Sequence, residues 1–217
     1  MTELVEPLVN SPRLPEYVEE LQQFLAQERA RRERFYEELT EEIKAEFING
    51  EVLVQSPARY EHTTAVKLLL KLVDTYVERH QLGFVVAEKA LVCLPRNDYE
   101  PDLCFFGKAK AAQLHRGQLK FPAPDFIAEV LSESTESRDR GLKFEDYASN
   151  GVGEYWLVDP DKEQVEQFIL VRKRFEAKGV FAEGTIRSEV ITGFEIPVRA
   201  IFEPRLNLNA LAQIITA

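Results

Sequence analysis

The order of apolar and polar residues along the 217-residue chain is most regular between Asp125 and Pro160. Ile127, Ala128, Val130 and Leu131 form an apolar run around a single carboxylate, Glu129, and predict a buried strand. Ser132 to Thr135 offer N-cap chemistry and Glu136 suits a first turn. A polar helix of about three turns is therefore predicted, near the usual globular length, with Asn150-Gly151 as its stop. Tyr155, Trp156, Leu157 and Val158 predict a second buried strand, ended by Asp159-Pro160. Strand, helix, strand implies a right-handed crossover between parallel strands.

Upstream, residues 1–15 hold three prolines and little periodicity, which predicts an extended arm. Tyr17, Val18, Leu21, Phe24 and Leu25 then fall at helical spacing, and Phe35, Tyr36, Leu39 and Ile43 resume the stripe, predicting one long helix or two packed ones. Arg29, Arg31, Arg32 and Arg34 interleave with glutamates, the pattern of a solvated helix face. Residues 46–54 predict a hairpin turning at Asn49-Gly50. Val66, Leu69, Leu70, Val73 and Val77 trace the apolar face of a helix over 62–80. Strands are predicted over 84–94 and 103–106, followed by a basic connection over 107–123 that carries Lys108, Lys110, His115, Arg116 and Lys120. Four further strands, 164–171, 174–181, 185–191 and 194–200, are expected to continue the sheet as hairpins. A short helix is expected over 206–215.

The length suits one large domain or one domain with an appendage, and a 45% apolar content supplies a real core. No run reaches the ~18 apolar residues of a membrane span, so no membrane partner is expected. Cys93 and Cys104 lie in apolar strands without metal-ligand spacing, which implies reduced thiols and a cytoplasmic location. The net charge of −10 disfavours nonspecific nucleic-acid binding.

The chemistry centres on Glu129, because a carboxylate inside a central strand needs a partner. Asp102 opens the preceding strand, so pairing of the two strands brings both acids to one end of the sheet. Two carboxylates with water are the usual seat of Mg²⁺, and an adjacent lysine would stabilise charge on a phosphate. In an Asp…Glu-x-Lys arrangement that lysine shares the face of the glutamate two residues on. Leu131 occupies that position here, and the nearest lysine is Lys143, on the following helix. Structural roles compete for each residue: a turn cap for Asp102, an ion pair with Arg138, Arg140 or Lys143 for Glu129, and an i,i+4 pair with Asp139 for Lys143. Glu51 is a candidate extra acid or a solvated hairpin residue. His62, Tyr147 and Trp156 suit packing. The basic connection is either a solvated loop or a phosphate-contacting rim beside Asp102.

Pro101-Asp102, Glu129-Val130-Leu131-Ser132-x-Ser134-Thr135, Asp139, Lys143, Tyr147 and Gly151-Val152-x-Glu154-Tyr155-Trp156-Leu157-Val158-Asp159-Pro160 together resemble the Uma2 family (DUF820) of restriction-endonuclease-like proteins, in the PD-(D/E)xK nuclease superfamily. The His62 helix and Ser188-Glu189-Val190-Ile191-x-Gly193 extend the likeness, which covers roughly residues 44–202. The resemblance implies an α/β fold with a restriction-endonuclease-like mixed sheet flanked by helices, preceded by an N-terminal arm and helical extension (1–43) and followed by a C-terminal tail (203–217). It also implies Mg²⁺-dependent hydrolysis of DNA, Mn²⁺ substituting, with Asp102, Glu129 and the Val130 carbonyl on the metal and Lys143 as a displaced catalytic lysine. A homodimer accords with the superfamily and with the apolar N-terminal stripe. The alternative is a non-catalytic binding or oligomerisation module on the same fold.

Overall fold

A computed structural model describes residues 5–40 and 44–216. In chain order the elements are α1 (Glu6–Val9), α2 (Leu14–Glu38), the hairpin β1 (Ala45–Ile48) and β2 (Glu51–Val54), α3 (Tyr60–His80), β3 (Gly83–Ala87), β4 (Leu91–Cys93), β5 (Asp98–Tyr99), β6 (Leu103–Gly107) and α4 (Lys108–Ala111). There follow β7 (Lys120–Phe121), β8 (Phe126–Val130), α5 (Glu136–Arg140), α6 (Leu142–Ser149), β9 (Glu154–Asp159), β10 (Gln164–Val171), β11 (Arg174–Phe181), β12 (Thr185–Arg187), β13 (Glu195–Pro197), a 3-10 turn (Val198–Ile201) and α7 (Pro204–Thr216). No helix among the described residues is long and apolar enough to cross a membrane.

The main sheet is ordered β11-β10-β9-β8-β6-β3. Its pairs are antiparallel except β8 with β9, which run parallel as the crossover requires. A second sheet, β2-β1-β5-β4-β7, lies apart from it. Strand alternation assigns the two faces of β8 and β9. Phe126, Ala128, Val130, Trp156 and Val158 join the core shared with α3 and α7. Ile127, Leu131, Tyr155 and Leu157 join a second core with Ile48, Val92, Tyr99 and Tyr147, from the other sheet and α6. Glu129 therefore points between the two sheets. The C-terminal segment is part of the body: α7 lies on α3, and buried Asn207 donates to the carbonyls of Leu68 and Ala200 at 2.8 and 2.9 Å.

Several elements depart from the expected ones. The predicted extended arm contains α1 and the start of α2, and its first four residues lie outside the described residues, as does Ile43. The strand predicted over 84–94 is two strands in different sheets, because Glu88 and Lys89 take left-handed φ of 57° and 46° between them. The single helix after Ser132 is two, α5 and α6, broken at Gly141. The strands expected over 185–191 and 194–200 shorten to β12 and β13, a separate two-stranded sheet.

The arginine cluster on α2 is also more than a solvated face. Arg32 is held by the buried carboxylate of Asp98, its Nε 2.7 Å from Oδ2, and donates to the carbonyls of Leu94 (2.6 Å) and Pro95 (3.0 Å). Arg31 donates to the carbonyl of Gly50 at 3.0 Å. These bonds fasten the C-terminal half of α2 to the second sheet. Truncating Arg32 leaves the buried Asp98 carboxylate with only neutral side-chain partners among the described residues, the Tyr36 hydroxyl and the Cys93 thiol. We expect Arg32→Ala to cost about 3 kcal/mol or more in urea unfolding, while Arg34→Ala, at an exposed position, stays within about 0.5 kcal/mol of the parent.

Candidate active site

The Asp102–Glu129 pair forms where β6 and β8 begin to part. Leu103 sits opposite Ala128, so Asp102 comes beside Glu129 with both side chains on the face between the sheets. The Asp102 amide donates to Glu129 Oε2 at 3.3 Å, and the Val130 amide donates to Asp102 Oδ2 at 2.8 Å. Lys143 arrives from α6: its Nζ lies 3.0 Å from Glu129 Oε1, 2.9 Å from Glu46 Oε1 and 3.3 Å from Asp139 Oδ1. Tyr147, one turn further along α6, donates to the same Glu129 oxygen at 2.9 Å. On the other side of Asp102 stand His62 Nε2 at 3.2 Å from Oδ2 and Lys44 Nζ at 3.6 Å from Oδ1.

The local sequence explains these placements. The break at Gly141 lets Asp139 end one short helix and Lys143 begin the next while both face one point. Asp146 anchors α6 to the second sheet by accepting from Asn97 (2.8 Å) and Tyr99 (2.9 Å). Leu131 holds the strand position where an Asp…Glu-x-Lys site keeps its amine, and it is a core residue.

Asp102, Glu129 and Lys143, expected to converge, do so. Glu51 does not join them: it is exposed at the turn end of its hairpin and makes no side-chain hydrogen bond or ion pair among the described residues. The acid that hairpin contributes is Glu46, buried between Ala45 and Phe47. A carboxylate enclosed by apolar neighbours in a short strand is a weaker form of the signal that marks Glu129, and by itself it does not separate Glu46 from Glu51. His62 and Tyr147 are more than packing residues, since each bonds one of the two acids. Trp156 is a core residue, its Nε1 donating to Glu154 at 2.6 Å. The basic connection is no rim beside Asp102. It leaves the opposite end of β6, where Lys110 pairs with Asp125 at 2.8 Å, and Lys120 lies over the Tyr36 ring.

The cluster holds five buried carboxyl groups, Glu46, Glu100, Asp102, Glu129 and Asp139. Facing them are the ammonium groups of Lys143 and Lys44 and the His62 imidazole. Burial pushes Glu129 up to about 8 against the pull of Lys143, with Asp139, Asp102 and Glu46 adding to the rise. Burial likewise lifts Glu100 to about 7. Burial alone would lower Lys143, but Glu129, Glu46 and Asp139 outweigh it and hold the amine well above its usual range. A charged Lys143 and a protonated Glu129 coexist because Glu46 and Asp139 also serve the ammonium. Asp102 is the ionised acid: burial would raise it, yet His62, Lys44 and the Val130 amide keep it below the ordinary value.

A hard divalent cation suits this donor set. Carboxylates outnumber cations, and the Glu46 Oε2 and Glu100 Oε2 oxygens are buried without a hydrogen-bond partner. Among the described residues no three acidic, histidine or cysteine side chains converge in metal-ligand geometry. Mg²⁺ needs only one or two carboxylates, because it retains several waters.

Two comparisons bear on this arrangement. Residues 23–199 match the model of the family described as "Uma2: Putative restriction endonuclease". The chain belongs to the Uma2 family. The crystal structure of "a putative nuclease belonging to DUF820 from Anabaena variabilis ATCC 29413" superposes on this Uma2 chain with a TM-score of 0.67. It is 16% identical, and the match covers 82% of this chain and 96% of that one. The nuclease-like fold is thus shared at low identity. No curated protein matches this Uma2 sequence.

The shared proton has a measurable consequence. Between pH 4.5, the ordinary glutamate value, and about 8 the folded protein keeps a proton on Glu129 that the unfolded chain releases. Stability therefore falls as pH rises across that window. His62 acts with the same sign: burial would lower it, but its bond to Asp102 outweighs burial and raises it, so its contribution, complete below 6.5, is lost as pH rises above that. The melting temperature is expected to decline from pH 4.5 to 8, and Glu129→Gln to flatten the decline. A flat or rising profile in the parent protein would contradict the proton sharing.

Proposed function

We propose that this Uma2 protein is a Mg²⁺-dependent endonuclease that hydrolyses phosphodiester bonds in DNA. The observation that carries the reading is Lys143 Nζ at 3.0 Å from Glu129, whose other oxygen accepts the Asp102 amide. Asp102 and Glu129 would hold the metal, with the Val130 carbonyl as a candidate further ligand. When bound, Mg²⁺ supplies polarisation of a phosphoryl oxygen and a lowered pKa for an attacking water. Lys143 is kept charged by its acids and stabilises the negative charge that builds on the phosphate. Tyr147 fixes the rotamer of Glu129. Glu129, with a pKa near neutrality, is suited to take up or release a proton during the reaction. Lys44 and His62, the less buried members, mark the side from which a phosphate approaches.

A second reading, a non-catalytic module on the nuclease fold, has one observation in its favour. Asp102, Glu129 and Lys143 are only 6%, 3% and 2% exposed, so substrate access requires local opening.

Incubation of duplex DNA with the full chain and Mg²⁺ or Mn²⁺ separates the two. Nuclease action predicts cleavage that falls by at least about 100-fold in Asp102→Asn, Glu129→Gln and Lys143→Ala, with folding checked by circular dichroism. Glu51→Ala is expected to cut like the parent. Equal cleavage by the parent and all three site variants would defeat the assignment of roles.

A further inference from the structure

Helix α3 turns one face to the core and leaves the other in solvent. Val66, Leu69 and Val73 belong to the core, and His62, on the same side, reaches Asp102. At 3.6 residues per turn Tyr60, Thr63, Lys67 and Lys71 share the outer face, and all four are exposed. Tyr60 is 77% exposed, more than any other large apolar or aromatic residue described. It makes no hydrogen bond or ring contact among the described residues, and Lys67 and Lys71 make no ion pair there. Acids outnumber bases 37 to 27 in this chain, so two unpaired lysines one turn apart stand out. Like charges at i,i+4 weaken a helix slightly. Glu61 lies to one side of the stripe, and Asp74 and Glu78 follow only after Lys71. At the mouth of the site, Arg59 reaches Glu133 at 3.0 Å, an exposed pair that a phosphate could replace at little cost.

We propose that this face of α3 is the docking track of an unpaired DNA strand, with one base stacked on Tyr60 beside the scissile phosphate and the phosphates next to it held by Lys67 and Lys71. The proposal rests on the nuclease reading of the site and adds where the strand lies and that it is single. Position favours it. Tyr60 and His62 belong to one turn, so the track starts at the mouth that Lys44 and His62 flank. Lys67 and Lys71 follow about 10 and 16 Å along the helix at 1.5 Å per residue. Depth favours an unpaired strand. Asp102, Glu129 and Lys143 are recessed. Duplex DNA is a stiff rod that must be deformed to enter a recess, whereas a single strand bends into it. An exposed ring also offers a platform to a free base face, which a paired and stacked base lacks. Charge points the same way. Nonspecific duplex binding draws on many phosphate contacts, and two lysines on a chain of net charge −10 do not supply them. One stacked base contributes about 10- to 100-fold in affinity whatever the sequence. A protein partner would find little to bury here, one ring among polar side chains.

Fluorescence anisotropy of a short labelled oligodeoxynucleotide, single or annealed to its complement, tests the track with the full chain. Ca²⁺ as the divalent ion lets binding be read apart from cleavage. The single strand is expected to bind at least about 10-fold tighter than the duplex, and Tyr60→Ala to lose about 10-fold or more of that affinity while Tyr60→Trp keeps it. Trp156 is buried, so the indole of Tyr60→Trp should report stacking directly through quenching of its emission. Lys67→Gln combined with Lys71→Gln should lower the slope of log K against log salt by about 1.4. A duplex bound as tightly as the single strand, parent-like binding by Tyr60→Ala, or no binding of either oligonucleotide would overturn the proposal. The nuclease reading fails separately. Tyr60-dependent strand binding without cleavage in Mg²⁺ would keep the track and remove the chemistry; cleavage that ignores Tyr60 would keep the chemistry and remove the track.

Discussion

One buried ammonium holds the two sheets of this protein in register. Lys143 sits where β8, β1 and α5 face one another, and its three carboxylate partners come one from each. A lone lysine at that depth would lose its charge; the three carboxyl groups around it keep the Lys143 amine well above its usual range. The bonds cross the space between the sheets, so the geometry of the acids depends on α6 being docked. Asp146 docks it through Asn97 and Tyr99 of the second sheet. The N-terminal helix secures that sheet in turn, through Arg32 on Asp98, the residue next to Asn97.

Two glutamates in adjacent strands show what distinguishes a structural carboxylate from a reactive one. Glu154, on the α3 face of β9, accepts from Trp156, Gln167, Ser188 and the amides of Glu189 and Val190, at 2.6 to 2.9 Å. Its neutral donors satisfy it completely. Glu129, on the other face, is served by a lysine it shares with two further acids, one phenol and one long amide bond. Its proton affinity is therefore raised and open to change by a cation, the condition expected of a site that does chemistry.

Much of this was legible in the chain itself. The apolar run broken by Glu129, the Pro-Asp before the preceding strand and the absence of a lysine at position 131, read with the family resemblance, point to Asp102, Glu129 and Lys143 as residues that could converge. What was not legible depends on contacts distant in sequence. Glu46 reaches Lys143 only because β1 pairs with β5 and α6 packs over that sheet, a strand order that local pattern does not encode. Glu51 shares its hairpin and, by ladder alternation, its face, so sequence offers little to choose between them until burial does. The break at Gly141 and the left-handed pair Glu88-Lys89 are backbone events inside segments whose periodicity suggested continuity. Arg32 of α2 looked solvated because its partners, Asp98 and the carbonyls near it, lie more than sixty residues away.

Calorimetric titration of Mn²⁺ into the apo protein tests most directly whether the buried acids form a cation site. The account predicts saturable heat accompanied by proton release near neutral pH, since a cation at Glu129 displaces the proton that burial retains there, and loss of both signals in Glu129→Gln. Absence of binding at millimolar Mn²⁺, or an unchanged isotherm in that variant, would contradict it.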